Sequence, residues 1–339
     1  MPSLAPAYFQ LHPSYTMPEL IVPYAQASGA FDTLFTGDVL PRLSEDDLAI
    51  YINRIDVRTR MSAGQAAYNN LPSVSVVASQ ISTATYQQRV RAIYDHHDVA
   101  AAARRQFSLV QAQRLGMRQG HFQLARTALL QGYNPANGEG LLNTNGATAI
   151  NLPADPYGNT TLVTYDNGYF AFFLAQQVGL MKQRTNQLGI GHKFVFLGPQ
   201  RAFAPFEYNV VQLVQYQRPG AGSTSTVGTV KHILMDNGDE VIWAYDDTLI
   251  GQGAGGNDAI LLVMPELVKP EGDQINTNVF ADLAPNLLAC TLQLCDKPAP
   301  TEIPVPIPGG GVDVLSEMRL SSGWAPRPEA VTIISAKYQ

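Results

Sequence analysis

Charged side chains are scarce in this sequence. Asp, Glu, Lys and Arg make up 15% of its 339 residues, whereas a typical soluble domain has about 25%. Because the cores of protein interfaces are depleted of charge, this scarcity favours a chain whose surface is largely covered by partners. A chain rich in uncharged Gly, Pro, Ser and Gln loops would have the same composition, so composition alone leaves both interpretations open.

Cysteine, long apolar runs and an excess of basic residues are scarce or missing as well. The two cysteines, Cys290 and Cys295, are too few for a disulfide framework or a four-ligand zinc site, so we expect reduced thiols. The net charge of −6 does not indicate a general nucleic-acid-binding surface. No apolar run reaches the ~18 residues of a membrane span, and the N-terminus lacks the basic residues of a signal peptide. We therefore expect a chain made and used in the cytoplasm, with no membrane partner.

Motifs of enzymes and cofactor sites are also lacking. The chain has no GxSxG, HExxH or GxxxxGK[ST]. Gly251, Gly253 and Gly256 satisfy GxGxxG, but they precede a predicted strand and not the helix that a dinucleotide site requires. In the run 95–98 (DHHD), neighbouring side chains on a strand point to opposite faces and cannot converge on one metal ion. That run predicts a strand-to-helix junction capped by Asp98, and the sequence as a whole predicts no catalytic residue, metal site or cofactor.

The first 31 residues are apolar and proline-rich. They contain five prolines and one formal charge, Glu19. Since proline fixes φ and favours an extended residue before it, we predict an extended arm. Tyr8, Phe9 and Tyr15 are among the aromatic residues with which the arm would contact another surface. The arm can lie on its own domain or on a neighbouring subunit, and the sequence does not decide between them.

Residues 45–94 predict a β-hairpin of long strands with a loose tip. The stretch 61–88 contains no charge, and 73–81 alternates in the manner of a strand. Alternation is clearer in 85–94, where Tyr86, Val90, Ala92 and Tyr94 share one face, opposite a face with Gln87, Arg89 and Arg91.

A long helix is predicted from about Leu109 to Gln131. Ser108 and Gln111 form a capping box at its start, and Gly132 supplies the left-handed residue that ends helices. The apolar periodicity places Leu115, Phe122, Ala125 and Leu129 on one face of this helix. A second stripe of small residues, Ala112, Gly116 and Gly120, would permit another backbone to approach closely.

The remaining pattern predicts a mixed α+β chain. We expect a helix over 167–186 and strands over 192–199, 259–265, 286–295 and 331–338, with a hairpin turn at Asn237-Gly238 and a loop at 308–313.

Basic residues are concentrated between Gln87 and Arg126. That stretch has seven arginines against Asp95 and Asp98, a local net charge of +5 in a chain of −6. Three functions fit: pairing with an acidic face of another subunit, a nucleic-acid surface, or a solvated helix face.

The run 126–148 resembles a segment of the major capsid proteins of tailed bacteriophages with the Hong Kong 97-type fold. In those proteins a long spine helix ends in a Leu-Gly step, followed by a Gly-Leu-Leu-Asn signature and an Asn-Gly-Ala-Thr-like continuation. The corresponding elements here are Leu130 to Gly132, Gly140 to Asn143 and Asn145 to Thr148. The helix at 167–186 feeding 192–199, and the closing segment 321–335, resemble later parts of the same fold.

This resemblance implies a fold class and a domain plan. The class is α+β, with an N-terminal arm (1–40), an extended-loop β-hairpin (41–88), a peripheral domain (89–160 and 268–339) with its spine helix near 109–131, and an axial domain (161–267). The implied function is a major capsid protein that assembles as pentamers and hexamers into an icosahedral head enclosing double-stranded DNA. Its partners would be other copies of itself, packaged DNA bound without sequence specificity, and portal, scaffolding and decoration proteins. The virion would be its final location.

The expected interface residues combine the arm, the hairpin and the basic region. They are Tyr8, Phe9, Tyr15, Tyr51, Arg58, Arg60, Arg89, Arg91, Arg104, Arg105, Arg114 and Arg118.

Two departures from the family and two rival functions qualify this expectation. No lysine precedes Lys182, so the covalent crosslink that some family members form from an extended-loop lysine is not expected. A charged, helical leader is absent, which implies a separate scaffolding protein or none. The rivals are an encapsulin, a bacterial nanocompartment shell of the same fold, and a soluble α+β enzyme. The long Pro/Gly insertions favour the phage protein over the typically shorter encapsulins.

Overall fold

A computed structural model describes residues 34, 47–58, 75–104, 108–187, 191–208, 211–212, 227–228, 239–267, 300–308 and 310–339. The predicted strand at 286–295 and the predicted turn at Asn237-Gly238 lie outside these residues.

The first sheet has four antiparallel strands in the order β1-β2-β10-β9. They are β1 (Ala49–Arg58), β2 (Ser75–Asp95), β9 (Thr301–Ile307) and β10 (Gly311–Ser321). The predicted hairpin is confirmed, because β1 and β2 pair from Ala49↔Ala84 to Arg58↔Ser75. The predicted alternation of β2 is also confirmed: Gln87, Arg89 and Arg91 are exposed, whereas the intervening side chains are covered.

Two helices follow β2, α1 (His96–Ala103) and α2 (Leu109–Leu130). The predicted cap of α2 is confirmed, since the Ser108 hydroxyl accepts from the Gln111 amide at 3.4 Å. Gly132 ends the helix with φ +75° and donates its amide to the Thr127 carbonyl. The predicted cap of α1 is wrong: the capping position is Asp95, and Asp98 lies in the first turn. The helix begins three residues earlier than predicted, directly after β2 ends at Asp95.

The second sheet has five strands in the order β3-β11-β8-β4-β7. They are β3 (Thr148–Asn151), β4 (Lys193–Gly198), β7 (Glu240–Tyr245), β8 (Asp258–Val263) and β11 (Val331–Ala336), and β5 (Val211–Gln212) pairs with β6 (Val227–Gly228) in a separate short ribbon. All six residues of β8 are buried. A strand covered on both faces needs apolar residues at every position, which explains the unbroken AILLV run.

Helices cover both faces of this second sheet. On one face, α3 (Asn167–Thr185) and α4 (Gln200–Tyr208) pack Phe170, Leu174 and Phe203 against the sheet. On the other face, the C-terminal half of α2 packs Ala128 and Leu129. The preceding part of α2, as far as His121, lies over the first sheet instead, and His121 Nε2 is 3.0 Å from the Ser316 hydroxyl of β10. Helix α2 therefore joins the two sheets.

The apolar face predicted for α2 is covered only in part, and one sequence prediction fails in this region. Ala125 and Leu129 of that face are buried, but Leu115 and Phe122 are 48% and 40% exposed. The subunit covers the adjacent side of the helix, which includes Met117 and His121. The segment at 308–313 was predicted as a loop, yet Gly311–Asp313 begin strand β10. Pairing with β2 across more than 200 residues forms that strand, and local pattern does not report such pairing.

Candidate assembly surfaces

The β1–β2 hairpin projects beyond the rest of the first sheet. Residues 75–84 of β2 pair with β1, whereas residues 85–95 pair with β10. Among the strands that the structure describes, only β1 pairs with residues 75–84 of β2. Ten residues of strand span about 33 Å, so the hairpin forms a long lever from the body of the subunit.

Both faces of this lever are accessible. Tyr51 is 62% exposed and Val77 is 54% exposed, and Leu48 at its base is 73% exposed. An isolated two-stranded hairpin is marginally stable in water. This geometry therefore favours a hairpin that is completed by contact with another molecule.

The base of the hairpin is held from both faces of β2. The Thr85 hydroxyl donates to the carbonyl of Asp47 and accepts from Arg319 Nε at 3.1 Å. Tyr86, on the opposite face, donates its hydroxyl to the buried carboxylate of Glu139 at 2.9 and 3.1 Å. Burial, then the Glu139 hydrogen bond and charge, raise the pKa of Tyr86 to about 12. Sequence reasoning missed Glu139, which is a single acidic residue within a glycine-rich loop.

Three of the predicted interface arginines have partners within the chain. Arg89 pairs with Glu317 at 2.7 Å, Arg91 with Asp313 at 2.6 Å and Arg114 with Glu302 at 3.2 Å. The Asp313 hydrogen bond and charge raise the pKa of the Arg91 guanidinium.

These pairs reduce the charge segregation seen in the sequence, because acidic residues of β9 and β10 lie beside the basic strand and helix. Arg104 and Arg118 are exposed and form no ion pair with another described residue. Their role at an interface remains a prediction, as does that of Tyr51.

The other predicted interface residues are not all described. Tyr8, Phe9, Tyr15, Arg60 and Arg105 lie outside the described residues, and only the backbone of Arg58 is described, as the last residue of β1.

The middle of α2 has an exposed face with apolar residues. Leu115 and Phe122 lie on it beside the exposed Arg118, and Gly116 and Gly120 are exposed next to it. A Cβ added at either glycine would have no atom within 4 Å, so the close approach predicted for the small-residue stripe does not occur among the described residues of this chain.

A second exposed apolar face lies on α3. Phe172 and Leu180 are 56% and 42% exposed, and Val163 and Tyr157 in the preceding loop are 52% and 80% exposed. Exposed apolar side chains at several places on one subunit are expected of a protein that has several neighbours.

The outer edge of β9 is closed to further strand pairing. Pro304 and Pro306 lack amide protons, and a proline in a strand must turn its nitrogen away from the pairing side. Since β9 pairs with β10 through this same stretch, the two prolines face outward. That edge therefore resists the edge-to-edge association that open strands promote.

Within the described residues, no group of three or more His, Cys, Asp and Glu side chains is placed to hold a metal ion. No described helix is both long and apolar enough to cross a membrane.

Comparisons with known proteins give a consistent result at the level of fold. No protein-family model matches the sequence, and no curated protein matches it. Among solved structures, the capsid of Myoviridae phage XM1 is similar at 10% identity and a TM-score of 0.68, covering 95% of this chain and 96% of that one. The capsid of cyanophage P-SCSP1u is similar at 11% identity and a TM-score of 0.57, covering 96% and 93%. The capsid of the native GTA particle is similar at 10% identity and a TM-score of 0.58, covering 96% and 95%.

At such identities the likeness establishes a shared fold that extends over nearly the whole length of both chains. The predicted fold class, α+β of the Hong Kong 97 type, is confirmed.

Proposed function

We propose that this chain is the major capsid protein of a tailed bacteriophage, and that it assembles as pentamers and hexamers into an icosahedral head around double-stranded DNA. Its final location is the virion, after assembly in the cytoplasm of the host bacterium. The protein has no catalytic role in this proposal.

The projecting hairpin is the observation that carries this function. The hairpin has ten paired positions, and Tyr51 and Val77 are exposed on it. No other described part of the subunit covers these two apolar side chains. A neighbouring subunit supplies the missing surface, and a neighbour of identical sequence presents the same lever in turn. Repeated head-to-tail contacts of this kind close into rings, which is how capsomers are built.

The exposed faces of α2 and α3 support the same proposal. A subunit in a closed shell has neighbours on several sides, and each specific interface buries about 800 Å² on each partner. Separate apolar patches on the hairpin, on α2 and on α3 fit several such interfaces. The scarcity of charge in the sequence agrees with this, since interface cores are depleted of charge.

The proposed domain plan rests on the sequence resemblance to the tailed-phage capsid proteins. We assign residues 1–40 to an arm, 41–88 to the extended loop, 89–160 and 268–339 to the peripheral domain, and 161–267 to the axial domain. In this plan α2 is the spine helix of the peripheral domain, and α3 with strands β4, β7 and β8 of the second sheet belongs to the axial domain. The other two strands of that sheet, β3 and β11, belong to the peripheral domain. The α3 face of Phe172 and Leu180 then lies toward the neighbours within one capsomer.

The remaining partners follow from the role. Packaged DNA would contact the inner surface without sequence specificity, and Arg104 and Arg118 are candidates for that contact or for a subunit contact. Portal, scaffolding and decoration proteins are further partners of a tailed-phage head.

The test is expression of the chain followed by size-exclusion chromatography and negative-stain electron microscopy. Capsomers or megadalton shells are the expected result. A stable monomer of 36.8 kDa at high concentration would refute the proposal and favour a soluble α+β protein of another function.

Shells alone would not separate a phage head from an encapsulin compartment. The genes beside the coding sequence do so: terminase and portal genes are expected here, whereas a cargo-enzyme gene would support the encapsulin.

A further inference from the structure

The point where the hairpin leaves the body of the subunit is built around one buried carboxylate. Glu139 is 8% exposed. Its Oε2 atom accepts from the Ser322 hydroxyl at 2.7 Å and from the Asn134 amide at 3.1 Å, in addition to the Tyr86 hydroxyl. Each of these donors is neutral. Hydrogen bonds to an ionised acceptor are stronger than those between neutral groups, so Glu139 binds three separate segments tightly.

The three segments are the ones whose relative placement fixes the hairpin. Tyr86 lies on β2 at the second rung of the β10-paired part. Asn134 belongs to the loop after α2, and Ser322 follows the end of β10. A Cβ at Gly323 would overlap the carbonyl oxygen of Leu129, so the end of β10 and the end of α2 are already in backbone contact.

Aromatic packing adds to these bonds. The Tyr86 and Tyr133 rings lie with centroids 4.6 Å apart, and Gln88 donates to the Tyr133 hydroxyl. On the opposite face of β2, Thr85 engages Asp47 and Arg319. Consecutive strand residues point to opposite faces, so Thr85 and Tyr86 hold the base of the hairpin through hydrogen bonds on both faces of β2.

We infer that Glu139, with Tyr86, Asn134 and Ser322, forms a base clamp that sets the direction in which the hairpin projects and thereby the geometry of the assembled shell. Glu139 is a positioning residue in this role, since it acts through the hairpin and does not itself lie on the exposed surface. The inference rests on the proposed function, because the direction of the hairpin matters only if the hairpin contacts a neighbour.

The length of the lever shows why a small change at its base matters. Over about 33 Å, a rotation of 10° at the base moves the tip by roughly 6 Å. Apolar contacts are lost when heavy atoms separate beyond about 4.5 Å. If the hairpin could rotate by several degrees about its base, its tip would reach more than one position on the neighbour. Subunits would then join at more than one angle.

Tyr86→Phe is the main test, because it removes one hydroxyl and leaves the ring packing in place. Hydrogen–deuterium exchange on the purified full-length chain should show faster exchange at the Thr85 amide, which donates to Leu48 O at 3.1 Å, by about tenfold or more. Electron microscopy of the assembled material should show shells of mixed diameter or incomplete closure, where the parent chain gives one diameter.

Tyr165→Phe is the matched control. Tyr165 is also buried, at 5% exposure, and its hydroxyl donates to the Pro153 carbonyl at 2.9 Å, away from the hairpin. This variant should leave exchange at Thr85 and the shell diameter unchanged. Glu139→Gln is a milder variant of the clamp, since its amide oxygen can still accept from Asn134 and Ser322 while its amide group donates to Tyr86; we expect an intermediate effect.

The clamp is refuted if Tyr86→Phe leaves either the Thr85 exchange or the shell diameter as in the parent chain, or if Tyr165→Phe changes both equally. Should Tyr86→Phe fail to fold, Glu139→Gln decides by the same two measurements. Failure of the proposed function is a different result: the parent chain would then form no shells, whatever the exchange at Thr85 shows.

Discussion

Tyr51 offers a direct test of whether a neighbour covers the hairpin. A tyrosine side chain has on the order of 200 Å² to bury, so Tyr51 at 62% exposure has roughly 120 Å² available. At about 25 cal/mol per Å², complete burial by a neighbour contributes about 3 kcal/mol, and half-burial about 1.5 kcal/mol. Tyr51→Ala should therefore raise the concentration needed for assembly by about ten- to hundredfold.

The assay is light scattering across a dilution series of purified subunits, paired with thermal unfolding of the unassembled form. Because Tyr51 is exposed on the single subunit, the free energy of unfolding should change by about 0.5 kcal/mol or less. Tyr51→Phe keeps the apolar area and should assemble as the parent chain does. Assembly of Tyr51→Ala at the parent's concentration would show that no neighbour covers this face, and an equal loss in Tyr51→Phe would show that the hydroxyl, not burial, is responsible.

Three further predictions concern the subunit itself. Asp258→Asn should lower the free energy of unfolding by about 2 kcal/mol in urea titrations, because Asp258 is 1% exposed and accepts two charge-assisted bonds from Arg201 at 2.8 and 2.6 Å; a loss below about 0.5 kcal/mol would contradict it. Burial lowers the pKa of His121, so the unfolded chain binds the proton more readily, and stability should fall as the pH drops below about 6.5. His121→Asn should flatten that dependence in melts at pH 5 to 8, and an unchanged slope would assign it to other groups. Gly323→Ala should abolish soluble expression because its Cβ would overlap Leu129 O, whereas Gly116→Ala, with open space around it, should stabilise the subunit by about 0.5–1 kcal/mol; equal behaviour of the two variants would refute the packing argument.

The sequence correctly predicted the elements that depend on interactions between residues close together in the chain. The Ser108 cap, the Gly132 stop and the alternation around Arg89 and Arg91 each depend on neighbours within a few residues, and each is confirmed. Strands β9 and β10 depend instead on pairing with each other and with β2, and Pro304 and Pro306 argued against a strand. Those prolines are compatible with pairing because they lie at the sheet edge.

The exposure of Leu115 and Phe122 could not be predicted for a different reason. These residues recur with the correct helical period, so the sequence correctly indicated an apolar face. A period does not tell which molecule covers that face, and here the subunit covers an adjacent one that includes Met117 and His121. In a protein that acts alone, exposed apolar residues of this kind would be an aggregation liability. In an assembling subunit they are a contact surface, so their exposure supports the proposed function.

For the basic region, the sequence suggested contacts between subunits, but the structure places several of them within one chain. The sequence concentrates positive charge between residues 87 and 126, which suggested electrostatic pairing between subunits, yet Arg89, Arg91 and Arg114 pair with acidic residues of β9 and β10 in the same chain. Exposed pairs of this kind contribute little to stability, but each removes one positive charge from those available to an acidic neighbour. In the proposed assembly, apolar surfaces such as Tyr51, Phe122 and Phe172 would then contribute most of the association energy, and shape would matter more than charge. A contact that depends on shape requires its projecting part to be held at a fixed angle, which is the role that a buried carboxylate at the base of the hairpin fulfils.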